Sequence, residues 1–234
     1  MTTSLSSIPE QNTVDIWQVD TQHVYDNVLA LTDILDTTEF ERYQSLHHKF
    51  KQTYLISHAA CREILASYSG ILAKDIIYKK NEYGKPELDH EQALKFNMSH
   101  SHDMAIIAVS KNTEIGVDLE YVNRKSQWNK IARRFFSQPE INYLFSQPES
   151  SQKTLFYQIW TNKEAFIKAL GTGLATPLST FDASSEGIVK TLSSFDTTTT
   201  WYTKNLDIAP GYLAAVSQNT QIEKIRYYKY PNPS

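Results

Sequence analysis

Twice along this chain an alternating apolar strand gives way to helical sequence and then to further strands, and that recurrence restricts the fold more than any single motif. Residues 14–19, Val14-Asp15-Ile16-Trp17-Gln18-Val19, alternate with period two, as a half-buried strand requires. Helical periodicity follows over about 39–68, and strands are expected at 76–78, 94–97 and 105–109. After the polar turn Lys111-Asn112-Thr113-Glu114 the order repeats: a strand over 115–122, helices over 128–136, 139–145 and 152–170, then strands near 201–202, 213–216 and 224–228. Ile106-Ile107-Ala108-Val109-Ser110 also echoes Leu213-Ala214-Ala215-Val216-Ser217, as a duplication would leave. The expected fold is α+β, in two similar halves at 1–113 and 114–234.

The 234 residues suffice for one large core or two smaller ones. A net charge of −3 offers polyanions no global attraction, so extensive nucleic-acid binding is not expected and any phosphate must be met by local cations. Cys61 is the only cysteine, which rules out an intrachain disulfide. Residues 1–11 lack a basic stretch followed by an apolar one, and no apolar run approaches membrane-spanning length, so a cytoplasmic protein is expected.

Four segments can carry chemistry. In Gly116-Val117-Asp118-Leu119-Glu120, alternation puts both acids on one face, about 6.6 Å apart along a strand and within reach of one hard cation such as Mg²⁺. The bland reading is an ordinary polar strand face. In Trp160-Thr161-Asn162-Lys163-Glu164-Ala165-Phe166-Ile167-Lys168, positions 160, 164 and 168 form one helical column that offers a carboxylate beside an ammonium; taken alone it is surface decoration. Gly171 and Gly173 read as a helix stop.

In Phe96-Asn97-Met98-Ser99-His100-Ser101-His102-Asp103, a loop after a strand is expected. His100, His102 and Asp103 could ligate a transition metal, or the hydroxyls and one imidazole could hydrogen-bond a phosphate or heterocycle, or the loop could be inert. Gly84-Lys85-Pro86 holds a lysine on a stiff turn, suited to a phosphate or merely solvated.

Taken in order, Gly84-Lys85-Pro86, Phe96-Asn97-Met98-Ser99-His100-Ser101, Gly116-Val117-Asp118-Leu119-Glu120 and Trp160-x-x-Lys163-Glu164-Ala165-x-x-Lys168-Ala169-x-Gly171-x-Gly173 resemble the 4′-phosphopantetheinyl transferase superfamily. The likeness is to its larger, pseudodimeric, surfactin-synthetase-activating type. It implies Mg²⁺-dependent transfer of phosphopantetheine from coenzyme A to a serine of an acyl or peptidyl carrier protein, with release of adenosine 3′,5′-bisphosphate. By the same resemblance, Asp118, Glu120 and Glu164 would hold the metal, Glu164 would take the serine proton, and Lys168 would stabilise or protonate the leaving phosphate. Lys85, Ser99 and His100 would contact the 3′-phosphate and adenine region, Lys163 would add a phosphate contact, and Arg62 would supply a basic nucleotide contact. Two homologous halves in one chain imply a monomer. Two other readings stay open: a catalytically silent protein that binds coenzyme A or a carrier, and a Mg²⁺-dependent nuclease, whose acids and lysine would look alike.

Overall fold

The computed structural model describes residues 7–23, 28–89, 94–122, 125–192 and 199–231. In the first half, β1 (Thr13–Asp20) is followed by the helices α1 (Val28–Thr32), α2 (Thr37–Ser45) and α3 (His48–Ser69), a short hairpin of β2 (Tyr78–Lys80) and β3 (Pro86–Leu88), then β4 (Leu94–Ser101) and β5 (Met104–Lys111). The second half runs β6 (Ile115–Tyr121), α4 (Trp128–Phe135), α5 (Gln138–Ser146), α6 (Glu149–Leu170), the short β7 (Phe181–Asp182), β8 (Gly187–Ile188) and β9 (Lys190–Thr191), then β10 (Tyr202–Leu206), β11 (Tyr212–Gln218) and β12 (Lys224–Tyr230).

Two four-stranded sheets result, ordered β12-β1-β5-β4 and β6-β11-β10-β8. Period-two alternation gives β1 and β5, the central strands of the first sheet, two apolar faces. Trp17, Val19, Ala105, Ile107 and Val109 pack against Leu55, Ala59, Ile64 and Leu65 of α3. Val14, Ile16, Ile106 and Ala108 turn the other way and meet Ile115, Val117, Leu119, Ala214 and Val216 of the second sheet. The second sheet is covered on its far side by α6. The order of layers is therefore α3, first sheet, second sheet, α6, and the two halves are held together by an apolar core between the sheets.

Lys111 and Ile115 bound the turn where the expected junction near 113 falls, but the end of the chain does not respect it. β12 pairs in parallel with β1, from Thr13 opposite Lys224 to Val19 opposite Tyr230, so the last strand completes the first half's sheet. Arg226 binds the buried Asp15 through both carboxylate oxygens, at 2.6 and 2.7 Å, and Tyr68 of α3 donates to the same group at 2.6 Å.

The single helix expected over 39–68 is two. Asp36 and Glu39 form a capping box that starts α2, and the backbone is extended at Leu46 and His47 before α3 begins. No Gly or Pro marks that break. It lets the start of α2 lie across α3, where Arg62 binds Glu39 and Asp36 and donates to the carbonyls of Ala73 and Ile76.

Candidate functional site

At one side of this stack the free edge of β6 lies against a face of β4. β6 pairs with β11 along one edge, which leaves the backbone groups of its other edge to be satisfied elsewhere. The polar face of β4 does this with side chains. The amides of Val117, Leu119 and Tyr121 donate to Asn97 Oδ1 (2.9 Å), Ser99 Oγ (3.3 Å) and Ser101 Oγ (3.1 Å). The carbonyls of Ile115 and Val117 accept from Lys85 Nζ (3.1 Å) and Lys168 Nζ (3.2 Å). Residues 98–101 are therefore strand, where a loop was expected.

The acids stand on the face of β6 that α6 covers, as the alternation implies. Gly116 shares that face, and a Cβ there would lie 2.1 Å from the Ala165 carbonyl oxygen and 2.2 Å from the Ala169 nitrogen, so only glycine lets α6 come this close. The approach brings Glu164 and Lys168 to the acids. Lys168 Nζ donates to Asp118 Oδ1 at 2.7 Å and to Ser99 Oγ at 3.0 Å. Ser99 Oγ in turn donates to Asp118 Oδ1 at 3.0 Å, and Ser101 Oγ to Glu120 Oε2 at 3.1 Å. Glu164 is half-buried, and its carboxyl is pushed up to about 7, chiefly by burial and then by the charges of Asp118 and Glu120, against the opposing pull of Lys168.

Three carboxyl groups so placed are short of positive charge. Among the described residues, no three His, Cys, Asp or Glu side chains already form a metal cage. Asp118 Oδ2, however, is buried without a hydrogen-bond partner, an arrangement that costs free energy unless a cation or donor completes it. Hard oxygen donors, an unsatisfied carboxylate oxygen and like-charge repulsion that a cation would relieve are features that suit a hard divalent cation.

The remaining sequence-derived candidates fall elsewhere. The family resemblance makes Ser99 and His100 contacts to the same nucleotide, but adjacent residues of a strand face opposite ways. Ser99 turns into the seam, while His100 is exposed on the other face, with its pKa lowered by desolvation and by the charges of Lys168 and His58. His102 pairs with Asp103 in the β4–β5 turn and its ring lies 4.6 Å from that of Tyr121, so the three-ligand metal reading of His100, His102 and Asp103 is not formed.

Lys85 is not offered to solvent. Its ammonium binds Glu114 and the carbonyls of Ile115 and Ala169, while Asn81 donates to the Gly171 carbonyl at 2.9 Å, so the 81–85 turn caps the end of α6. Gly171 has φ +72 there, the left-handed stop that the Gly-rich pattern implied.

Lys163 and Arg62 leave the candidate set for one physical reason: both are fully buried and already paired. Lys163 donates to both oxygens of Glu140 (2.7 and 2.6 Å) and to the Phe181 carbonyl (2.7 Å), with no exposed side-chain surface on either partner. Glu140 also binds the Ser137 and Ala183 amides, so this pair ties α5, α6 and β7 together. The side chain of Arg62 is likewise 0% exposed within its Glu39 and Asp36 contacts. Sequence reasoning quoted Asn97 without a role, gave the Ser101 hydroxyl to a phosphate or heterocycle where it binds Glu120 and the Tyr121 amide, and passed over Glu140. The first two were recoverable from the alternation of β4; Glu140 was not, because its partner lies 23 residues away.

A sequence model described as the 4′-phosphopantetheinyl transferase superfamily matches residues 114–217, the half that carries Asp118, Glu120, Glu164 and Lys168. The chain is 31% identical over 166 residues to the 4′-phosphopantetheinyl transferase HetI of Nostoc sp., covering 69% of this chain and 70% of that one. It is 32% identical over 179 residues to the 4′-phosphopantetheinyl transferase Sfp of Bacillus subtilis, covering 75% and 78%. It is 32% identical over 160 residues to the 4′-phosphopantetheinyl transferase gsp of Aneurinibacillus migulanus, covering 68% and 65%.

Proposed function

The chain belongs to the 4′-phosphopantetheinyl transferase superfamily, and from that premise we propose that it moves phosphopantetheine from coenzyme A to a carrier-protein serine at the seam between β4, β6 and α6. The observation that carries the reading is the convergence of Lys168 and Glu164, from one face of α6, on Asp118, from β6. Asp118, Glu120 and Glu164 would hold Mg²⁺ against the coenzyme A pyrophosphate. When bound, the cation neutralises charge on the phosphoryl oxygens.

The chain's own groups do the rest. The carrier serine Oγ forms a bond to the pantetheine-side phosphorus as the bond to the bridging oxygen breaks, and adenosine 3′,5′-bisphosphate leaves. Glu164 takes the serine proton: without a cation its carboxyl group ionises at about 7, and a bound cation would favour the carboxylate form that accepts the proton. Lys168, half-exposed and already aimed at this cleft by Asp118, supplies positive charge or a proton to the departing phosphate. His100, kept neutral by its surroundings, faces outward from the same strand and is the imidazole suited to the nucleotide side.

Incubation with coenzyme A, Mg²⁺ and a panel of apo carrier proteins is expected to add one phosphopantetheine to a carrier, seen in its intact mass, and EDTA is expected to prevent it. Tight coenzyme A binding with every carrier left apo would favour a silent binder; cation-dependent plasmid nicking would favour a nuclease. The absence of a basic stripe in a chain of net charge −3 counts against the latter. Among the described residues no helix is long and apolar enough to cross a membrane.

A further inference from the structure

Resting on the reading of Asp118 and Glu120 as cation ligands, we infer that Ser101, together with Ser99, is a positioning residue that orients those carboxylates as well as joining the two sheets. β4 reaches β6 through three rungs, each a side chain two residues from the last: Asn97 to the Val117 amide, Ser99 to Leu119, Ser101 to Tyr121. As a joint, each rung needs only an acceptor, and Asn97 Oδ1 serves where the residue facing α6 beside it is Gly116. The two rungs beside acids use hydroxyls instead.

A hydroxyl has one proton and accepts through its lone pairs. Ser101 Oγ accepts the Tyr121 amide, so its proton goes to Glu120 Oε2. Ser99 Oγ accepts from Leu119 and from Lys168, so its proton goes to Asp118 Oδ1. Each carboxylate thus has one oxygen held from the β4 side, and at Asp118 the other oxygen, Oδ2, is buried without a partner. Both serines are less than a tenth exposed, at 6% for Ser99 and 7% for Ser101, so water does not readily replace either bond. Partners that hold metal ligands in place typically alter affinity about 10–100-fold when removed.

The test is Mg²⁺ binding by the full chain in the presence of coenzyme A, measured calorimetrically for the parent, Ser101→Ala, Ser101→Thr and Ser101→Cys. Ser101→Ala is expected to weaken Mg²⁺ about 10–100-fold while the carrier KM stays put, and Ser101→Thr, which keeps the hydroxyl on a residue suited to a strand, is expected to bind like the parent. If the alanine variant does not fold, the near-isosteric Ser101→Cys carries the test, because its weak S–H donor is expected to give the same loss. A purely structural serine would lower the melting temperature in Ser101→Ala and leave the Mg²⁺ dissociation constant unchanged, and that result would overturn the inference. Asp118→Asn separates the two layers: a parent and Asp118→Asn that bind Mg²⁺ alike would sink the cation-site reading, whereas loss in Asp118→Asn but not in Ser101→Ala or Ser101→Cys would sink the serine role alone.

Discussion

Glu164→Gln is expected to slow transfer about 10²–10⁴-fold, the range typical of losing a positioned general base, while coenzyme A binding and the fold persist. Glutamine preserves the shape but can neither take the serine proton nor offer a charged oxygen to the cation. Stability should move the opposite way to activity. The native carboxyl group ionises at about 7, against an ordinary 4.5, because ionisation puts a third negative charge beside Asp118 and Glu120 in a half-buried place. The folded protein therefore holds this proton more tightly than the unfolded chain does. Its stabilising contribution is complete below the unfolded value and is lost as pH rises through the window from about 4.5 to 7. Without a divalent cation, Glu164→Gln should match the parent at acid pH and melt higher at pH above about 7. Turnover and melting curves at two pH values check both halves of the expectation; a variant that keeps parental turnover would remove Glu164 from the chemistry.

Lys163→Met is expected to cost about 3–5 kcal/mol, because removing one member of a buried ion pair leaves the other charged and unpaired. Out of a typical total of about 5–15 kcal/mol this is severe. The partner left behind, Glu140, has no exposed side-chain surface and still accepts from the Ser137 and Ala183 amides. Neutralising it in the same background, Lys163→Met with Glu140→Gln, should recover part of the loss, since glutamine removes the buried charge, although its one amide oxygen can keep only one of the two bonds that Glu140 Oε2 and Oε1 accept from the Ser137 and Ala183 amides. Equilibrium urea unfolding of the single and double variants measures this. If Lys163 instead met a phosphate of coenzyme A, the single variant would keep its stability and raise the coenzyme A KM.

The contrast between Lys163 and its neighbour Glu164 explains what could and could not be read in advance. Period-two alternation was enough to set Asp118 and Glu120 on one face, and helical spacing was enough to align Glu164 with Lys168. The same spacing turns Lys163 about a quarter of a turn away from Glu164, toward Phe181 and Glu140 rather than the acids. A motif treats the two as one unit, but the helix does not. β4 repeats the lesson: alternation already separates Ser99 from His100, and a strand boundary set at 97 instead of 101 hid it.

Other features had no local signal at all. The return of β12 to the first sheet, the break between α2 and α3, and the burial of Arg62 depend on partners far along the chain, such as Asp15 with Arg226 and Glu39 with Arg62. Long-range pairing of this kind is decided by which charges and edges remain unsatisfied after the apolar faces have packed. Lys85 is the clearest case. Its turn was legible, but the ammonium is drawn inward by the Ile115 and Ala169 carbonyls at the end of α6.

The cation site formed by Asp118, Glu120 and Glu164 is tested most directly by calorimetry of Mg²⁺ binding to the coenzyme A-loaded protein, in two buffers of different ionisation enthalpy. With a carboxyl group pushed up to about 7, binding at a pH of about 6 should be accompanied by proton release from Glu164, and the release should fade as pH rises above 7. Glu164→Gln should bind more weakly and release none. Mg²⁺ binding without proton release in the parent, or with the same affinity and the same release in Glu164→Gln, would contradict the site.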